Sequence, residues 1–200
     1  MRSIRILLAL AAFAGCAIKT PGVSESSPVR AMASPSYGAS GELLRPRDFP
    51  SWVFVGSSMG LSYSENGSSK GPGTFHNVYL NPPAYEEYTR TGKFPERTML
   101  VLALYEPKEK ESIQRAGYFE GNLVALEAAV KEQARFPEGW AYFDFGKGGA
   151  DEKAKPFPKA SCHDCHKEHG AVDNVFVQFY PVLRDLKMEG SLGAGSSSKH

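Results

Sequence analysis

The sequence predicts a mainly β domain of the α+β class, built as an antiparallel sheet with a few helices. Short runs of β-branched and aromatic residues recur between glycine- and proline-containing turns. Helical spacing of apolar residues is confined to a few segments. The run at 98–105 is apolar at nearly every position, which predicts a central strand that is buried on both faces.

Five segments are predicted as strands from their composition and from the turn residues that bound them. The first ends at Gly56, the second follows a Gly/Ser-rich loop, and the central one ends at Pro107. The last is rich in aromatic residues. These segments are 52–55, 75–80, 98–105, 117–119 and 140–145.

Two helices are predicted from caps and periodicity. Asn81 precedes Pro82 and Pro83 and so begins a short helix that ends at Gly92. Asp173 begins a second helix, with apolar residues at 176, 179, 183 and 186 and a kink at Pro181.

The run at 123–134 is ambiguous. Its alanine, leucine, glutamate and lysine content favours a helix, and Glu127 with Lys131 forms an i,i+4 pair of opposite charge. Local composition therefore predicts a helix here.

The chain of 200 residues predicts one domain with appendages. Its formal net charge of +1 gives no indication of a nucleic-acid surface. Arg2 and Arg5 precede an apolar run at 6–14 that is too short to span a bilayer, so residues 1–15 are predicted to be a signal peptide.

Cys16 admits two interpretations. Residues 13–16 resemble a bacterial lipobox, in which the cysteine becomes a lipidated N-terminus, although Phe13 stands where leucine is usual. The alternative is cleavage after Ala14, which leaves a free thiol at Cys16. Lipidation is favoured, because an unpaired exposed thiol is a liability in an oxidising compartment. We therefore expect a periplasmic or cell-envelope protein that contacts the membrane only through a lipid anchor.

The domain is expected at 41–188. Residues 16–40 are rich in serine, proline, glycine and alanine, which predicts a flexible tether. Residues 189–200 have a similar composition and are predicted to be a disordered tail.

A c-type haem attachment motif lies late in the domain, at Cys162-His163-Asp164-Cys165-His166. Each thiol can form a thioether to one vinyl group of the porphyrin, and His166 can then ligate the iron. Half of a zinc site completed by His169 and a redox Cys-x-x-Cys pair are the alternatives. A zinc site lacks a second ligand pair, and no βαβ unit precedes the motif, so covalent haem c, one per chain, is favoured.

Several segments together resemble the cytochrome P-460 family. The resemblance runs in order through 75–82, 91–94, 136–143, 162–167 and 176–183. It implies an antiparallel β fold, a homodimer and five-coordinate haem c with a vacant distal site. It also implies that 123–134 continues the strand that begins at Gly117, against the local helical composition.

The family contains two chemistries. Its hydroxylamine-oxidising members carry a lysine on the central strand that is joined to the porphyrin rim, whereas the sister group, cytochrome c′-β, lacks it and binds nitric oxide and carbon monoxide. The segment 98–105 has no lysine, and Leu102 stands where the crosslinking lysine would be. The resemblance therefore favours cytochrome c′-β.

The distal pocket is expected to be apolar, with one or two aromatic side chains capping the iron. The candidates on predicted strands are Phe75, Phe119, Phe143 and Phe145. The leading hypothesis is a five-coordinate haem protein that binds nitric oxide or carbon monoxide, for scavenging, sensing or transport.

Two alternatives remain open. The first is an enzyme that oxidises hydroxylamine or nitric oxide, with His76, Glu120 or Asp144 as a distal polar group. The second is a periplasmic electron carrier with an unidentified redox partner, which needs a strong sixth ligand, for which Met59 and Met99 are the thioether candidates. The late position of the motif argues against simple electron transfer.

Overall fold

A computed structural model describes residues 33–61, 71–109 and 116–186. Its main feature is a five-stranded antiparallel sheet in which each strand pairs with the next along the chain. The strands are β2 (Val53–Met59), β3 (Phe75–Leu80), β4 (Met99–Lys108), β5 (Phe119–Lys131) and β6 (Trp140–Lys147). A small second sheet pairs β1 (Leu43–Leu44) with β7 (Lys153–Ala154). The predicted mainly β fold is confirmed.

The strand implied for 123–134 by the family resemblance is confirmed, and the helix predicted from local composition is wrong. β5 pairs with β4 on one side and β6 on the other. Its residues alternate, with Leu126, Ala128 and Val130 buried in one hydrophobic cluster while Ala129 packs against another. Burial on both faces outweighs the small difference in intrinsic propensity.

The sheet has two different faces. The closed face carries the cluster that contains Met99, Val101, Leu126, Phe143 and Phe145, all at most 1% exposed. The opposite face, called the open face below, carries a second cluster that includes Val78, Leu80, Leu100, Trp140 and Tyr142. Strand alternation assigns neighbouring residues to opposite faces.

Helix α1 (Pro82–Thr91) confirms the first predicted helix. It begins after Asn81 and ends at Gly92, whose φ of 69° is the left-handed conformation that glycine adopts readily. The Asn81 side chain does not cap the helix. Its Oδ1 accepts a hydrogen bond from the Met99 backbone N–H at 2.8 Å instead, which ties the helix to β4.

The helix predicted from Asp173 is wrong. Asp173 and Asn174 form a turn, a 3₁₀ turn follows at Val177–Phe179, and helical backbone begins only at 181. Pro181 therefore occupies the first helical position, where a missing N–H removes no helical hydrogen bond. A second helix, α2 (His163–His169), lies within the cysteine motif.

The first described residues pack onto the sheet domain, although they fall in the segment predicted as a tether. Ala33 is 1% exposed, and its carbonyl accepts a hydrogen bond from Asn81 Nδ2 at 2.8 Å. The Tyr37 hydroxyl donates to Glu132 Oε2 at 2.6 Å. Packed structure thus extends at least to Ala33. The predicted signal peptide, Cys16 and the tail at 189–200 lie outside the described residues.

None of the helices within 33–61, 71–109 and 116–186 is long and apolar enough to cross a membrane.

Candidate haem site

The cysteine motif forms the start of α2. Cys162 directly precedes the helix, and Cys165 and His166 follow three and four positions later, so the three side chains lie on one side of it. Both thiols are free, Cys162 half-buried and Cys165 exposed. Burial, with smaller contributions from Glu127 and Cys165, raises the pKa of Cys162. The helix therefore presents two thiols and one imidazole to the same region.

One ring nitrogen of His166 is held by the backbone. Its Nδ1 lies 2.9 Å from the carbonyl oxygen of Asn174. Because a carbonyl can only accept, Nδ1 carries the proton and the lone pair of Nε2 remains free to bind a metal. Burial lowers the pKa of His166, which further favours the neutral imidazole that metal binding requires.

Two aromatic rings fix the plane of the His166 imidazole. The ring centroid of Tyr142, on the open face of β6, lies 4.4 Å from that of His166. The ring centroid of Phe176, on the segment that follows α2, lies 4.5 Å from that of His166. Both rings are tilted against the imidazole, and both residues are at least nine-tenths buried. The imidazole is therefore oriented before any cofactor binds.

A pocket of about 640 Å³ opens between α2, the following segment and the open face of the sheet. Its walls are mainly aliphatic and aromatic. Leu102 lies in this wall, together with Val78, its cross-strand partner on β3, and Leu100 on β4. The residues that line the pocket include Val78, Leu100, Leu102, Glu127, Tyr142, Cys162, His166 and Phe176.

Glu127 places a carboxyl group in this pocket. It pairs with Leu102 on β4 and with Asp144 on β6, so the three form one row across the sheet. Burial and the neighbouring Asp144 charge raise the pKa of Glu127. The sequence prediction missed this residue because it treated Glu127 as one half of a helical ion pair. In the structure Lys131 pairs with Asp173 instead.

A second pocket, of about 540 Å³, shares Val78, Leu102, Phe176 and Tyr180 with the first, so the two form one cleft. His76 lines this second part, with its Nε2 2.9 Å from the Thr74 hydroxyl. Burial lowers the pKa of His76. Of the predicted polar groups, His76 is therefore placed in the cleft.

The other predicted polar groups lie elsewhere. Glu120 accepts a hydrogen bond from Asn77 Nδ2 at 2.6 Å, on the face opposite to Val78. Asp144 shares the row of Glu127, but it is exposed and its Oδ1 accepts from the Gly146 N–H.

The predicted aromatic caps do not gather at His166. Phe143 and Phe145 are fully buried in the closed-face cluster, and Phe143, although it borders the pocket, packs its ring against Phe136 at 5.9 Å. Phe75 pairs with Tyr105, which packs against that same cluster. Phe119 is 39% exposed at the start of β5. The aromatic rings beside His166 are Tyr142 and Phe176 instead.

The thioether candidates do not line the cleft either. Met99 is 1% exposed within the closed-face cluster, and Met59 is 39% exposed at the end of β2. Neither borders either part of the cleft.

These residues fit a covalently attached haem. The free thiols and the available Nε2 match the donor set of c-type haem, and the adjoining pocket has apolar walls. The Tyr142 hydroxyl is buried without a hydrogen-bond partner in the described part of the chain. Cys162 and Cys165 would carry the thioether bonds and His166 the iron. Fold and site together define the class of the protein: a c-type haem protein on an antiparallel β scaffold.

The family model described as Cytochrome P460 matches residues 46–177. The chain belongs to this family. No curated protein matches the sequence. The family implies c-type haem, in agreement with the attachment motif.

Proposed function

We propose that this protein binds nitric oxide or carbon monoxide at a five-coordinate haem c. Bound haem, held by Cys162, Cys165 and His166, would supply an iron atom able to take up a small neutral ligand. The observation that carries the proposal is the placement of His166. Its Nε2 is free, and among the described residues the wall of the pocket beside His166 contains neither a second imidazole nor a thioether; His76 lines the other part of the cleft.

The walls of the pocket support a small neutral ligand. Val78, Leu100 and Leu102 offer no hydrogen-bond donor, and an anionic ligand would lose its hydration there with no lysine or arginine in the described wall to replace it. Nitric oxide and carbon monoxide need little polar stabilisation. We further propose that the chain belongs with the non-crosslinked cytochrome c′-β branch, because a leucine occupies position 102.

Absorption spectra of the purified haem protein test this proposal. The reduced protein is expected to show an ordinary high-spin haem c spectrum that shifts when carbon monoxide or nitric oxide is added. A low-spin spectrum that does not respond to carbon monoxide would overturn the proposal. A strongly red-shifted band in the reduced protein would indicate a porphyrin crosslink and the enzymatic branch.

A lysine substitution tests the position of Leu102. Leu102→Lys is expected to introduce some of the red-shifted character of a crosslinked haem, since Leu102 borders the pocket. Leu104→Lys, two residues further along the same face of β4, is the matched control and should leave the spectrum unchanged.

Glu127 favours a second candidate function, the oxidation of hydroxylamine or nitric oxide to another nitrogen oxide. Oxidation of hydroxylamine releases protons together with electrons, and a carboxyl group in the pocket provides a proton acceptor. An assay with hydroxylamine and an added one-electron acceptor distinguishes the two candidates. Turnover that Glu127→Gln abolishes would establish the enzyme, whereas gas binding without turnover supports the binding protein.

The location and assembly of the protein are further parts of the proposal. Residues 1–16 support export and lipid attachment through Cys16 to a bacterial cell envelope. Membrane fractionation with haem staining, compared between the natural chain and Cys16→Ser, tests both, and release of the variant into the soluble fraction is expected. The homodimer implied by the resemblance is testable by analytical ultracentrifugation.

A further inference from the structure

The carbonyl oxygen that accepts the hydrogen bond from His166 Nδ1 belongs to a short turn. Val172 and Val175 pair across it through two backbone hydrogen bonds, of 3.3 and 2.8 Å, and the two residues between them are Asp173 and Asn174. Their φ angles are 47° and 61°, in the left-handed region that non-glycine residues seldom adopt. Aspartate and asparagine tolerate this region better than most residues, but the conformation still needs support from its surroundings.

The support comes from the Asp173 carboxylate. Its Oδ2 forms an ion pair with Lys131 Nζ at 2.6 Å, and its Oδ1 accepts a hydrogen bond from Trp140 Nε1 at 3.2 Å. Lys131 and Trp140 are cross-strand partners on β5 and β6. Lys131 Nζ also donates to the carbonyl of Phe94 at 2.8 Å, which fixes the ammonium group. One carboxylate thus ties the turn to two strands of the sheet.

The next residue, Asn174, connects the turn to the His166 imidazole. The Asn174 carbonyl accepts the His166 Nδ1 hydrogen bond, while its side-chain amide lies 3.4 Å from His163 Nε2. Since the Asn174 carbonyl belongs to the turn, its position relative to α2 depends on where Asp173 holds the turn.

We propose that Asp173 is a positioning residue for the axial ligand, acting through the Asn174 carbonyl on the His166 imidazole. The inference rests on the proposed ligation of haem iron by His166. An Nδ1–H···O=C hydrogen bond increases the basicity of Nε2, and a more basic ligand stabilises ferric iron relative to ferrous iron. Asp173 therefore lowers the reduction potential and strengthens the bond between iron and His166, although it lies outside the pocket wall.

The test compares haem-loaded variants by reduction potential and by the iron–histidine stretching band in the resonance Raman spectrum of the reduced protein. Asp173→Ala removes both anchors, so the potential should rise and the band should move to lower frequency. Asp185→Ala is the matched control. It breaks the Arg184–Asp185 pair of 2.8 Å, which does not contact the turn, and should shift neither quantity.

Graded variants separate positioning from a general structural role. Asp173→Asn keeps an acceptor for Trp140 and should give a smaller shift of the same sign. Lys131→Gln should also give a partial shift.

Asp173→Ala with an unchanged potential and an unchanged band would overturn the inference. If that variant attaches no haem, the Asp173→Asn and Lys131→Gln shifts decide in its place, and their absence overturns it equally. Failure of the proposed function has a different signature. It would appear in the natural protein itself, as a six-coordinate spectrum that does not respond to carbon monoxide, whatever the variants do.

Discussion

The two faces of the main sheet show how one set of strands can make both a sealed core and a binding site. The closed face is filled by side chains from β4, β5 and β6, and Val101, Val130, Phe143 and Phe145 have no exposed surface. On the open face, the wall that contains Leu102 and Glu127 leaves a pocket of about 640 Å³. Residues adjacent in sequence therefore lie in different surroundings, in a sealed core on one face and in the wall of a pocket on the other.

The largest expected effect lies on the closed face. Phe143→Ala should lower the free energy of unfolding by about 3–5 kcal/mol, because it opens a cavity in a filled core. Urea denaturation of the haem-loaded protein measures this. Phe119→Ala is the control, since Phe119 is 39% exposed and should cost much less. Equal losses in the two variants would contradict the distinction between buried and exposed rings.

A pair of leucines compares the two faces directly. Leu126→Ala, in the closed core, should cost about 2–5 kcal/mol, whereas Leu102→Ala should cost only about 1–2 kcal/mol because Leu102 is half-buried in the pocket wall. Leu102→Ala should also speed carbon monoxide binding by widening access, which stopped-flow spectroscopy measures. If Leu102→Ala proves the more destabilising of the two, the closed face is not the more tightly packed one.

A smaller loss is expected where the segment after the haem motif crosses β2. A Cβ at Gly56 would lie 3.2 Å from Tyr180 Cα and 3.3 Å from Pro181 Cδ. Gly56→Ala should therefore cost about 1 kcal/mol through crowding. Gly92→Ala is unsuitable as a control because of its positive φ. Ser58→Ala on the same strand is preferable, and it should leave the midpoint of thermal unfolding almost unchanged.

The smallest effect concerns the charge of Glu127. Its pKa is raised in the folded protein by burial and by Asp144, so the folded chain binds this proton more tightly than the unfolded chain. Stability is then fully present below the ordinary pKa of a glutamate and falls as the pH rises through the raised folded value.

Glu127→Gln removes this dependence of stability on pH. The variant should be at least as stable as the natural protein at neutral pH, and the difference should vanish below about pH 3, where the natural side chain is protonated in both states. Denaturation series at several pH values measure it. A variant that is less stable at neutral pH than the natural protein would show that the ionised carboxylate has a favourable partner.

Sequence patterns predicted much of the fold because they record local physical requirements. The central strand was evident from its continuous apolar run, and α1 from Asn81, Pro82 and Gly92. β5 was not evident from local composition, because its alanine and glutamate content favours a helix while pairing with two strands decides otherwise. Asp173 is likewise a residue type that often begins a helix, but its carboxylate forms an ion pair with Lys131 and accepts a hydrogen bond from Trp140.

The sequence by itself determined the attachment motif and the family, since thiol spacing and the adjacent histidine are covalent requirements that no packing alters. Only the tertiary structure decided which side chains surround it. A strand places successive residues on opposite faces, and bulges in β4 and β5 shift the register between strands. For this reason Glu127, Tyr142 and Phe176 border the pocket, whereas the phenylalanines at 75 and 145, equally aromatic, pack away from it.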